Sequence, residues 1–169
     1  MQPEVCNTMV RWFKLTKNQY IGFFALGLAF FVLQQLPYML MPLLRLDINP
    51  LMEMQDKSAL LNIAEKTFGV SCIVIMVFLV RGDATWFSIG STKEKVLFGA
   101  AMMAIVVYFV GWVFYFRGHH GLLFMLCTLA AMPPVYYALI GLWRRNYVLA
   151  ILGSVFLVAH IANVWNNFT

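Results

Sequence analysis

Charge is what this chain has least of. Only 11% of its 169 residues are Asp, Glu, Lys or Arg, against about 25% in a soluble domain. With 62% hydrophobic residues and a mean hydropathy of +0.79, that shortage excludes an ordinary water-soluble globule. Polar side chains are too few to cover a core of this size. Cysteine is scarce as well. Cys6, Cys72 and Cys127 stand far apart with no Cys-x-x-Cys pair, which argues against a disulfide framework, a cysteine zinc site and paired-thiol redox chemistry. Histidine is too thinly spread for a haem held between facing helices, since His160 alone falls within an apolar run. The tandem His119–His120 lacks further ligands nearby, so no metal and no cofactor are expected. There is no glycine-rich phosphate loop, no internal repeat and no contiguous basic patch, so no nucleic-acid partner is expected either.

What the chain does have is long apolar runs. A spanning helix needs about 20 residues to cross some 30 Å of hydrocarbon. Four stretches qualify directly: Tyr20–Leu44, Val96–Phe116, Gly121–Trp143 and Tyr147–Trp165. A fifth, Thr67–Val80, is too short unless extended back to about Ser58, which brings Asn62, Glu65 and Lys66 into the span. Asn49 followed by Pro50 resembles an N-cap and first helical position, so this second helix is expected to start at Pro50 and run to Val80 as one long or once-bent helix. The expected fold is all-α. It is a single polytopic domain over residues 1–169, with spans near 20–44, 58–80, 96–116, 121–143 and 147–165. The first apolar run is too long for a cleaved signal, so it is expected to stay as a span.

Basic residues set the orientation. With the N-terminus inside, the inner side holds Arg11, Lys14, Lys17, Arg81, Lys93, Lys95, Arg144 and Arg145, eight in all, against four outside, Arg45, Lys57, Lys66 and Arg117. The expected location is the cell membrane, with the C-terminus outside. Ser91 and Glu94 have capping-box spacing and should start the third span. Trp86 and Phe87 are expected at the membrane interface.

Polar residues inside the spans then become informative, because hydrocarbon offers them no partner. At about 1.5 Å per residue, His160 lies roughly 21 Å into the last span, with Asn163 and Asn167 continuing its face. Gln34, Gln35 and Tyr38 sit near this level in the first span, beside Pro37. Asn62 and Glu65 share a face of the second span, and Tyr108 and Trp112 a face of the third. Pro133 and Pro134 must break the ladder of the fourth span and favour a cavity near Gln34, Tyr136 and Tyr137.

Three functions fit. The first is a protein that binds or passes a small molecule or lipid through a polar, aromatic pocket in the outer half of the bundle. That pocket would be built from Gln34, Gln35, Tyr38, Asn62, Glu65, Tyr108, Trp112, His160 and Asn163. The second is an accessory subunit whose polar groups only bind helices together. The third is an intramembrane enzyme using Glu65 and His160 as acid and base, for which no nucleophile or metal stands at suitable spacing. The bilayer is the expected partner. Self-association is left open by Gly22, Gly27 and Gly99, a weak small-residue pattern.

Overall fold

The computed structural model describes residues 9–44, 46, 48–81, 87 and 89–169. It contains five helices long and apolar enough to cross a membrane. Strands β1 (Met9–Lys14) and β2 (Gln19–Phe24) precede α1 (Ala25–Leu40), which tightens into a 3-10 turn over Met41–Leu43. A short α2 (Pro50–Glu53) leads to α3 (Ala59–Phe78), then β3 (Leu79–Arg81) and α4 (Thr92–Phe116). The fourth span is composite: α5 (Leu122–Met125), a π turn over Leu126–Ala130, and α6 (Met132–Trp143). The last is α7 (Tyr147–Phe168).

Two expectations fail here. Residues 20–24 are not helical; they belong to β2, the centre of a three-stranded antiparallel sheet in the order β1-β2-β3. Aromatic and β-branched residues in "QYIGFF" favour an extended backbone, and the Leu15 and Thr16 amides close the turn onto the Gln19 carbonyl. Gly22 serves this sheet rather than a helix contact. A Cβ there would lie 2.0 Å from the Val10 carbonyl oxygen.

Pro50–Val80 is not one helix either. Asn49–Pro50 starts only a single turn, the chain extends at Met54, and Ser58 caps α3 by accepting from the Leu61 amide. Beyond Phe78 the backbone becomes β3. Asn49 does not cap with its side chain, because its Oδ1 accepts from the Tyr115 hydroxyl at 2.7 Å. A second N-cap and competing tertiary partners divide the segment.

Two local expectations hold, the capping box and the proline break. Ser91 and Glu94 form the complete capping box that opens α4. Pro133 and Pro134 open α6 directly after the π turn, whose Ala131 amide reaches back to the Leu126 carbonyl. Phe87 packs on Phe98 and Trp143, while Trp86 and Cys6 lie outside the described residues.

Helices α3, α4, α6 and α7 form the densest part of the bundle, with α6 packed against both α4 and α7, and α7 against α3. Backbones meet closely there. A Cβ on Gly141 would lie 2.5 Å from the Ala150 nitrogen, and one on Gly153 2.7 Å from the Ala138 nitrogen. Helix α1 rests mainly on α3 and only lightly on α4. Gly27 brings it close, where a Cβ would meet the Met76 carbonyl oxygen at 2.5 Å; Gly99, by contrast, faces open space. The outward faces are apolar: Met103, Val106, Val110 and Val113 form an exposed stripe along α4, and Ile151, Val155 and Val158 another along α7. Buried positions include Gln34, Asn163 and Asn167. Apolar outside and polar inside is the arrangement that hydrocarbon surroundings favour.

Candidate functional site

The polar side chains gather in two networks on facing walls of one cavity. The first centres on Gln34, which is 3% exposed. Its Oε1 accepts from the Tyr137 hydroxyl at 2.8 Å and from Gln35 Nε2 at 3.1 Å, and its Nε2 donates to the Tyr108 hydroxyl at 3.4 Å. A single α1 side chain thus links α4 and α6. The second centres on Glu65 of α3. His160 Nδ1 meets its Oε1 at 2.8 Å, and Asn163 Nδ2 donates to its Oε2. The carboxylate therefore has a partner on each oxygen, supplied by residues three apart on α7.

That second network continues toward the end of the bundle. Asn167 Nδ2 donates to Asn163 Oδ1 at 3.3 Å, and the Lys57 amide donates to Asn167 Oδ1 at 3.0 Å. The ladder fixes the Asn163 amide, and so the Glu65 carboxylate, relative to the chain entering α3. Amides in such a row orient their neighbours, because each donor and acceptor is already committed.

Between the networks lies a cavity of about 280 Å³. Gln34, Gln35 and Tyr38 of α1 face Glu65, Gly69 and Ile73 of α3, with Pro133 and Tyr137 of α6 and Phe156 and His160 of α7 completing the wall. The Phe156 and His160 rings lie 5.1 Å apart, which settles the imidazole against an apolar face. Gly69 leaves room, since a Cβ there would already press the Phe156 ring at 3.2 Å. The site thus offers a carboxylate, an imidazole, two amides and phenol groups around an apolar floor.

Of the nine residues expected to form a pocket, five line this cavity: Gln34, Gln35, Tyr38, Glu65 and His160. Asn163 stands behind Glu65, and Tyr108 behind Gln34. Trp112 supports Tyr38 edge-on, with ring centroids 5.0 Å apart. Asn62 is not brought in, because its amide turns to the Asp56 carboxylate. Sequence reasoning missed Gly69, Ile73 and Phe156. The signal was there: Gly69 and Ile73 follow Glu65 at four-residue steps, and Phe156 precedes His160 by four, which places them on the same helix faces. The tandem histidines separate, His119 lying edge-on to Phe114 and His120 Nε2 meeting the Tyr115 carbonyl oxygen at 3.0 Å. Among the described residues no three metal-ligating side chains converge.

Comparison with known proteins gives no matching family, no matching curated protein and no matching solved structure.

Proposed function

We propose that this chain is a multi-pass membrane protein, N-terminus inside, that binds or passes a small molecule or lipid through the cavity between α1 and the rest of the bundle. The observation that supports this reading is the Glu65–His160 pair lining a cavity of mixed polar and apolar walls. Isolated polar groups in hydrocarbon are costly and mark functional paths by default. At about 280 Å³ the cavity falls just below the range of drug-sized ligand sites, about 300 to 1,000 Å³, which suits a small occupant. A fitting occupant has a hydrogen-bond donor for the carboxylate and a compact apolar body against Ile73 and Phe156.

Native mass spectrometry of protein released directly from its membrane tests this whatever the identity of the occupant. The wild type should carry a small adduct, and Ile73→Trp, which enlarges a side chain that already lines the cavity, should lose it while remaining helical and thermally stable. A folded wild type with no adduct, or the same adduct on both proteins, would contradict the proposal. Orientation has its own test: reporters fused at Thr169 and within the 82–91 loop should fall on opposite sides of the membrane.

One observation favours a second reading, an accessory protein whose polar residues only fasten helices. Both oxygens of Glu65 and the amide of Gln34 already have protein partners. An acid–base enzyme is supported least, since no Ser, Thr or Cys stands among the cavity-lining residues.

A further inference from the structure

On the outer surface of the bundle two further hollows adjoin, meeting at the end that carries the sheet. One is an apolar groove of about 940 Å³ on the surface of α7. Leu142 and Tyr147 flank its start, Ala150, Ser154 and Val158 continue it, and Ala162 lies at its far end. From Tyr147 to Ala162 the helix rises about 22 Å at 1.5 Å per residue, the reach of one extended acyl chain. The other hollow, about 410 Å³, lies around the start of α4 and the α6–α7 turn, and its wall includes Lys93, Glu94, Trp143 and Arg145. Leu142 and Tyr147 belong to both, so the two hollows are neighbours that share a rim.

We infer that this double hollow seats one anionic phospholipid, with its phosphate at Lys93 and Arg145 and a chain along α7. Charge complementarity selects this occupant. Lys93 and Arg145 bring two positive charges, and Glu94 offsets one. Its carboxylate is held by the Ser91 amide at 3.2 Å and by Arg145 at 3.4 Å. One net positive charge remains, matched to a single phosphodiester. Small side chains at Ala150, Ser154 and Ala162 leave the groove open along an otherwise bulky helix.

The turn presents Arg145 at some conformational cost. Its φ is 52°, a left-handed conformation in which Gly or Asn is relaxed, and its side chain is 60% exposed. The Arg81 guanidinium donates to the Arg145 carbonyl oxygen at 3.2 Å, which ties the turn to the sheet. Tyr147, 61% exposed between the two hollows, suits the boundary between headgroups and chains. This is also the end that the basic-residue bias puts on the cytoplasmic side, where anionic lipids concentrate.

The test uses the full chain in nanodiscs of phosphatidylglycerol and phosphatidylcholine in equal parts, with lipid retention after detergent release read by native mass spectrometry. The wild type should retain phosphatidylglycerol over phosphatidylcholine by about tenfold, a preference of some 1.4 kcal/mol. Lys93→Gln with Arg145→Asn, the latter suited to the left-handed turn, should abolish the preference. Ser154→Trp, which blocks the groove but keeps both cations, should lower retention of both lipids. Arg117→Gln, at the opposite end, should change nothing. Equal retention of the two lipids by the wild type would overturn the inference. So would unchanged preference in the double variant, or unchanged retention in Ser154→Trp. Displacement of phosphatidylglycerol by millimolar inorganic phosphate would reassign the site to a free anion and overturn the lipid reading.

Discussion

The two sides of the bundle are assembled by different means. Where α6 meets α7, glycines let backbones touch: Gly141 against Ala150, and Gly153 against Ala138. Nothing larger fits, and little depends on side-chain chemistry. Where α1 meets the bundle, backbones touch only near its start, at Gly27 against Met76, and beyond that point reach replaces contact. Gln34 extends to Tyr108 and Tyr137, Phe30 lies edge-on to Tyr136 and Trp143, and a cavity remains beneath. Dense packing gives one side a fixed geometry, against which α3 and α7 hold Glu65 and His160. The looser side leaves the space that a ligand needs. A binding site in a membrane bundle requires both, because hydrocarbon provides no hydrophobic drive to close gaps between helices.

If that contrast is right, substitutions should damage the dense side most. Gly141→Ala or Gly153→Ala places a methyl group about where backbone atoms already stand, and overpacking of this kind costs about 1–3 kcal/mol. Thermal unfolding in detergent should show the largest losses for these two, with Gly99→Ala as a neutral control, since its Cβ meets nothing. Equal behaviour of all three would erase the distinction.

At the boundary between the two sides, Glu65→Ala leaves the Asn163 amide, 1% exposed, without its acceptor. The expected loss is about 1–3 kcal/mol. Glu65→Gln should lose less, because a carbonyl oxygen still accepts. A Glu65→Ala variant as stable as the wild type would remove the structural role of the ladder.

On the α1 side the effects should be smaller. Gln34→Leu deletes the bonds to Tyr108 and Tyr137, at about 0.6–1.7 kcal/mol for such interhelical contacts. It should loosen α1 selectively, seen as faster hydrogen exchange over 25–40 than over 147–168. Uniform exchange would mean that α1 is no looser than the rest. Tyr38→Phe keeps the ring against Trp112 and should stay within about 0.5 kcal/mol of the wild type.

The same division explains what the sequence made legible. Five apolar helices were readable because length and hydropathy depend only on composition, and Ser91–Glu94 because a capping box is local. Strand β2 was hidden inside a continuous apolar run: hydropathy ranks Tyr20–Phe24 with the helix that follows, while its pairing with Met9–Lys14 is a tertiary fact. The break after Glu53 was hidden for a similar reason. Asn49 reads as a cap, yet its side chain is drawn to Tyr115, far along the chain. Glu65, His160 and Asn163 were easier to place together, because a carboxylate and an imidazole within hydrocarbon have few partners to choose from. Asn62 escaped that logic, having Asp56 within reach. The apolar cavity walls carry no such rarity, so Gly69, Ile73 and Phe156 did not stand out.

The decisive question is whether the space between α1 and the Glu65–His160 pair holds a molecule other than protein. Electron microscopy of the protein in native lipid answers it most directly, at a resolution that shows side chains. Glu65 and His160 should be in contact, as at 2.8 Å here, with non-protein density against them and against Gln35. A cavity closed by α1 side chains, with no density beside the pair, would contradict ligand binding and leave the polar residues as fasteners.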